Sequence, residues 1–533
     1  MNHLRNALLA SLLAAVAASA QEGSQLPKLT ETIDVRVINI DVVVTDRKGN
    51  PITGLTRDDF EIYENGVLKP ISNFYEVNAA APPLVATETP MPVAPPQEPI
   101  PETQKRRIIL YVDNLSLAPF NRNRVFRDMK EFIKKVMRPG DEAMIATFNR
   151  SLKIRVPFTR DVVHLQQTLD SLAGEASFGI SSRSERRDAE DRIRDARNYN
   201  EALAVARQYA QSVEHDLRQS VTSINGLIST LAGVEGKKIL VLTSEGFPIQ
   251  PGREMFVLLD EISREKQWSL GGTLLEGLGF ASQDLIQSVA RTANANGITM
   301  YTLHAAGLTA NEGMSAENAR ATSMNVSHAA SSNSTESMQV MADMTGGLSS
   351  VNTNNFQLAF ERIRRDLDSY YSLGYRSGTE RVDRQRNLAV RTKNRNYVVR
   401  SRRTFVEKST HAEMSDRVIA NLLYKTKAND LKIFVRTSTP RPTDDRDLFR
   451  IPVEVQIPMD SLTLLPQGDT YAGGFEVYVA VANKDGDMSD VAHKTHALRV
   501  PASDLPNAKG KYYTYSLDLL MEKGVNRISV AVV

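Results

Sequence analysis

Four short patterns hold residue types able to do chemistry. Ser263 and Lys266 have the S-x-x-K spacing that sets a nucleophilic hydroxyl beside a lysine base. Its companion motifs are absent, and so short a pattern recurs by chance. His493 and His496 stand three apart. In a strand that spacing puts them on opposite faces, with no third ligand to complete a metal site, so they read as solvated surface histidines. Asp485-Gly486-Asp487 has too few alternating carboxylates for a calcium loop and reads as a hairpin turn. Gly233-Val234-Glu235-Gly236-Lys237 lacks the spacing of a phosphate-cradling loop. Neither G-x-S-x-G nor H-E-x-x-H occurs, and with no Cys there is no disulfide, thiolate zinc site or cysteine nucleophile. No catalytic set is expected, and the chain reads as a non-enzyme.

The 533 residues predict three to four domains at about 150 residues each. A net charge of +2 implies no bulk polyanion partner such as nucleic acid. The first residues point to export. Met1 to Arg5 is basic, Ala7 to Ala18 is a short apolar core, and Ala18-Ser19-Ala20 is a cleavage site. Residues 1–20 therefore read as a signal peptide cut after Ala20. The protein is expected in the periplasm or outside the cell, without a membrane anchor.

Residues 33–77 alternate apolar and polar positions between turns and predict a small β-module. A Pro-rich linker fills 78–105 and holds eight of the 23 prolines. From 106 to 370 buried strands alternate with helices: Ile108 to Val112, Ala143 to Phe148, Leu152 to Phe158, Ile239 to Leu242 and Ile298 to Leu303. That grammar predicts a mostly parallel sheet covered by helices. Within it, 181–232 carries apolar residues every three or four positions. A single helix over 185–232 would run about 72 Å, so it either breaks or projects. Residues 371–407 form a basic β-extension, with ten Lys/Arg against two acids between Arg376 and Arg403. It reads as a solvated hairpin or as a contact for an anionic envelope component. Residues 410–533 predict an Ig-like β-sandwich.

Several segments in this order resemble the acidobacterial-type von Willebrand factor type A-related proteins. They are VVVTDRKGNPITGLTRDDFEIYENG, RRIILYVDN, GKKILVLTSEGFP and MADMTGGLSSVNTNNFQLAFERIRRDLDSYYSLGYRS, spanning roughly 35 to 405. The resemblance implies a doubly wound α/β sheet that binds protein ligands at its top, often through a metal held by D-x-S-x-S, a Thr and a later Asp. Here Asp113 fits the first Asp, but Leu115 and Leu117 replace the two serines and Ser116 is out of register. After the fourth strand Thr243 is followed by Ser244 and Glu245, and Ser177, Ser181 and Ser182 are the options for the second loop. The resemblance thus implies at most a Mg2+ ion at a degenerate site of Asp113, Ser116 and Glu245. Asp113 and Ser116 also read as caps of a loop or helix N-terminus. No other cofactor is expected. The function implied is adhesion or protein binding in the envelope. The alternative is a structural component that oligomerises through the long amphipathic helix.

Overall fold

The computed structural model describes residues 37–78, 102, 105–268, 272–308, 323–377, 382–426, 429–445, 447–484 and 486–533. The signal peptide, nearly all of the Pro-rich linker and Asp485 lie outside them. The chain begins with β1 (Val37–Thr45), β2 (Phe60–Glu64), β3 (Val67–Lys69) and β4 (Ile71–Asn78). A mixed α/β region follows: β5 (Arg106–Asp113), α1 (Pro119–Val136), β6 (Glu142–Phe148), β7 (Leu152–Thr159), α2 (Val162–Ala173), α3 (Gly179–Asp195), α4 (Tyr199–Thr230) and β8 (Lys237–Ser244). It continues through α5 (Arg253–Glu265), α6 (Thr273–Leu278), α7 (Gln283–Ala295), β9 (Ile298–His304), α8 (Met324–Thr345), β10 (Ser349–Ser350) and α9 (Phe356–Asp368).

Six strands of this region form one sheet in the order β10-β9-β8-β5-β6-β7. All neighbours are parallel except β6 and β7, which form an antiparallel hairpin. The chain starts in the middle, moves out through β6 and β7, then returns to build β8, β9 and β10 on the other side. Both faces of β5 are covered. Ile108, Leu110 and Val112 pack with α1, α2 and α9, while Ile109 and Tyr111 pack with α4, α7 and α8. This is why the run has no polar alternation: a strand buried on both sides must be apolar throughout. Burying each such side chain contributes about 1.5–3 kcal/mol.

The amphipathic stretch breaks at Ala196 to Asn198, where the Asn198 side chain accepts from Glu201 N at 3.0 Å and starts α4. Its apolar positions, Ile193, Ala202, Ala206 and Ala210 among them, are covered by α5 through Met255, Phe256 and Leu259. The helices fold back on their own domain, and that face is spent within the chain.

The N-terminal strands do not form a unit of their own. After α9 come β11 (Ser369–Arg376), β12 (Gln385–Thr392), β13 (Val398–Arg400) and β14 (Thr404–Val406). One sheet runs β13-β1-β11-β4 and the other β14-β12-β2-β3. Residues 33–77 and 371–407, read separately from sequence, therefore interleave around one core of Ile40, Val42, Ile62, Tyr371, Leu373 and Tyr375. Four short strands alone have too little apolar surface to enclose a core. Part of the basic character also turns inward. Arg386 meets Glu64 at 3.1 Å and Glu407 at 3.0 Å, and Arg400 meets Asp366 at 2.6 Å.

The last region opens with a helix that the sequence reading missed, α10 (Thr410–Tyr424). Ser409 caps it, accepting from Ala412 N at 3.2 Å. Then follow β15 (Phe434–Thr437), β16 (Arg441–Pro442), β17 (Leu448–Pro458), β18 (Leu465–Gln467), β19 (Thr470–Ala482), β20 (Ala492–Pro501), α11 (Leu505–Ala508), β21 (Tyr512–Glu522) and β22 (Arg527–Val532). They form two four-stranded sheets that share a core of Val455, Ile457, Phe475, Val477 and Val479.

Both β-rich regions attach at one end of the six-stranded sheet, where its parallel strands begin. Lys237, at the start of β8, pairs with Asp41 of β1 at 3.1 Å. Tyr424 of α10 meets Thr230, at the end of α4, at 2.6 Å. Arg417 pairs with Glu235 at 3.3 Å. Lys238 sits in the same seam and donates to the Leu231, Ala232 and Val234 carbonyls of the turn that follows α4. The opposite edge, where the strands end, lies away from these attachments.

Candidate functional site

The strand order reverses between β5 and β8, so the loops leaving these two strands diverge and open a crevice at their carboxyl ends. The last residue of β5 is Asp113, the last of β8 is Ser244, and the last of β9 is His304. The loop after β5 turns back so that Ser116 Oγ donates to Asp113 Oδ2 at 2.7 Å. Ser244 Oγ donates to the same oxygen at 2.8 Å and lies 2.9 Å from Ser116 Oγ. Glu245 N donates to Ser116 Oγ at 3.1 Å.

Two of the three residues suggested by sequence are thus in direct contact, and the third joins them through its backbone. The Glu245 carboxylate faces elsewhere. Oε1 accepts from Ala118 N at 2.7 Å and Asn121 Nδ2 at 2.9 Å, which places a negative charge at the start of α1. Oε2 accepts from Arg183 of α3 at 2.8 Å. Both oxygens are therefore engaged, and a divalent ion would have to displace a guanidinium to use them. Asp113, Ser116 and Glu245 do not present three free oxygens to one ion. The residues named for the second loop do not complete the set. Ser182 is on the wall of the crevice, Ser181 is exposed, and the buried Ser177 Oγ has no hydrogen-bond partner. Among the described residues no group of three or more His, Cys, Asp or Glu side chains is placed to hold a metal.

The crevice widens into a cavity of about 450 Å3 between the sheet edge and α3, α4, α5 and α8. Gly179 lets α3 come this close. A Cβ there would sit 2.4 Å from Ser116 O and 2.5 Å from Ala118 N. Burial pushes the Asp113 carboxyl above its usual range, against the Ser116 and Ser244 hydroxyls that favour its charge. Burial pushes the His304 imidazole down, partly offset by Glu245, which favours its charged form. Tyr209, on the cavity wall, is raised by burial and by the neighbouring Glu254 charge.

Asp, Ser and His at three strand ends suggest hydrolysis, but the order is wrong for it. The Ser244 hydroxyl donates to Asp113, and His304 Nδ1 has no partner among the described residues. A serine nucleophile needs its hydroxyl on the imidazole and the carboxylate behind that ring. The sequence patterns elsewhere form no site with this one. Ser263 is buried in α5, its hydroxyl unpartnered. His493 and His496 do sit on different faces of β20. His493 stacks on Tyr478 with centroids 5.4 Å apart, and Tyr513 and His496 share a hydrogen bond of 2.6 Å. Arg183 and His304 were not singled out from sequence. For His304 the available signal was its place as the last residue of an apolar strand run.

No protein-family model matches this chain, and no curated protein is similar to it. Solved structures that overlap it do so loosely. An aerotolerance-related membrane protein from Bacteroides fragilis shares 12% identity over 49% of this chain and 98% of its own, with a TM-score of 0.24. BatB from Bacteroides thetaiotaomicron shares 11% over 50% and 100%, with a TM-score of 0.24. Three N-terminal domains of the type V pili tip protein Mfa5 from Porphyromonas gingivalis share 10% over 80% and 75%, with a TM-score of 0.26. Among the described residues no helix is long and apolar enough to cross a membrane.

Proposed function

We propose that this chain is an exported, non-enzymatic binding protein related to von Willebrand factor type A proteins. Its doubly wound domain engages a protein ligand at the carboxyl ends of β5, β8 and β9, in the periplasm or outside the cell. One observation carries the reading: the open cavity at the strand switch point, facing away from the seam that holds the β-rich regions. Ligands of open α/β sheets bind at such crevices. The serine–aspartate contact lacks the order needed for catalysis, which favours binding over turnover. The α3–α4 apolar face is covered within the chain, which weighs against assembly through that helix.

The test is a pull-down from envelope extract on the immobilised chain, with Ser182→Trp as the comparison. Ser182 is exposed on the cavity wall, so a bulky side chain there obstructs the opening without disturbing the core. Retained proteins should be lost from the variant. Equal retention by both would refute this site.

A further inference from the structure

Three atoms on the cavity wall point to the chemistry of its occupant. Asp113 is 1% exposed and His304 4%, yet Asp113 Oδ1 and His304 Nδ1 make no hydrogen bond among the described residues. Both residues line the cavity, as does Ser327, whose Oγ is likewise unpartnered. Buried polar atoms without partners are rare because each costs about 1–3 kcal/mol. Asp113 Oδ1 is an acceptor when ionised. His304 Nδ1 can accept or donate according to the tautomer. Of the three, only the ionised Asp113 oxygen is restricted to accepting, so it is the atom that calls for a donor from outside.

The charge of the cavity has the same bias. Asp113, Glu185, Asp216, Glu245 and Glu254 line it, against two cations, Arg183 and Arg186. Arg183 is already held by Glu245. Phe120, Ile180, Leu308 and Met324 are each more than half exposed, and Met324 also lines the cavity. They stand at the starts of α1, α3 and α8 and just after β9, on the side where the strands end. An acidic cavity on a face that exposes large apolar side chains suits a protein surface better than a free small cation, because apolar contacts beside a polar anchor keep water from it.

We infer that the cavity takes a basic side chain of a partner protein, whose guanidinium or ammonium group donates to Asp113 Oδ1. This rests on the binding reading above and names the chemistry of its ligand. The protein's own donors and the incoming cation then satisfy both oxygens of Asp113 without a bridging metal ion. Apolar residues flanking the basic one pack on Met324 and the other exposed apolar side chains of that face.

The probe is Nα-acetylarginine methylamide, read by saturation-transfer NMR on the whole mature chain, with the norleucine analogue as the uncharged comparison. The arginine probe should bind about tenfold more tightly than norleucine, and Asp113→Asn should remove about that factor, as expected for one charged hydrogen bond. EDTA should change neither value. Asp216→Asn, on the half-buried wall, gives a second reading should Asp113→Asn fold poorly. It should weaken binding roughly threefold through charge alone. Equal binding of the two probes, or arginine binding unchanged in both variants, overturns the inference. So does preferential binding of Nα-acetylglutamate methylamide with Mg2+, which leaves the binding reading intact. If the pull-down retains the same proteins with and without Ser182→Trp, the binding reading itself falls.

Discussion

Gly179→Ala sets two opposed effects against each other at the site. Gly179 is the first residue of α3, and alanine favours a helix over glycine by about 1 kcal/mol in its interior and by less at its end. Against that, the new methyl would sit 2.4 Å from Ser116 O, 2.5 Å from Ala118 N and 2.5 Å from Leu117 C. Ordinary contact begins near 3.4 Å, so α3 and the loop after β5 must separate by about 1 Å. All three atoms are backbone and cannot rotate away. Overpacking of this kind costs about 1–3 kcal/mol, which exceeds the propensity gain. The displaced helix carries Arg183, so its ion pair with Glu245 should loosen too. Gly226, exposed in the interior of α4 with nothing within 4 Å of its virtual Cβ, is the internal control. Gly226→Ala should stabilise by about 0.5–1 kcal/mol. Urea denaturation followed by tryptophan fluorescence and circular dichroism reads both. A Gly179→Ala protein as stable as Gly226→Ala would refute the close approach of α3 to this loop.

Arg183→Ala frees Glu245 Oε2. Calorimetry with MgCl2 should then detect tighter ion binding than in the parent chain, and equal binding would contradict the reading of Arg183 as the occupant of that charge. Arg386→Met leaves Glu64 buried without its cation, and breaking such a pair costs about 3–5 kcal/mol. Limited proteolysis should cut the region of β1 to β4 first, and protection equal to wild type would contradict this. A peptide of residues 33–77 alone should show no strand signal by circular dichroism, because its strands pair mainly with β11, β12 and β13. Burial lowers Lys238 to about 8 from 10.5. The unfolded chain then holds more protons between those values, so stability should rise as pH increases from about 8 to 10.5, by about 3 kcal/mol from this group. Lys238→Met should flatten that rise in urea titrations at successive pH values.

The sheet was legible because strands buried on both faces announce themselves as apolar runs, as Ile108 to Val112 and Ile239 to Leu242 do. The break before α4 was legible only as a choice, since a helix about 72 Å long had either to break or to project and the periodicity ran through the Asn198 cap without marking it. The interleaving of the two β segments was not legible. Val42 facing Tyr371 joins residues more than 300 apart, and no local pattern encodes such a partner. Helix α10 was missed because Met414, Val418 and Leu422 mark one short face next to strand-like sequence. At the site, Asp113 and Ser116 were visible as oxygen donors. The diversion of Glu245 was not, because it depends on Arg183 arriving from a helix that sequence placed no nearer than the same domain.

The pairing of β1 with β11 has a consequence in time. Roughly 290 residues separate the end of β4 from the start of β11. At about 5–20 residues per second, the first strands emerge from the ribosome some 15–60 s before the strands that cover them exist. Until then Ile40, Val42 and Ile62 have no core to enter, and β1 offers two open edges. The α/β domain can close meanwhile, since its strands pair among themselves. Once closed, it brings its own two ends together, which shortens the loop the late strands must span to roughly the width of one domain. The largest domain thereby templates the smallest, and a lesion that slows the large domain should appear first as aggregation through the waiting N-terminal strands.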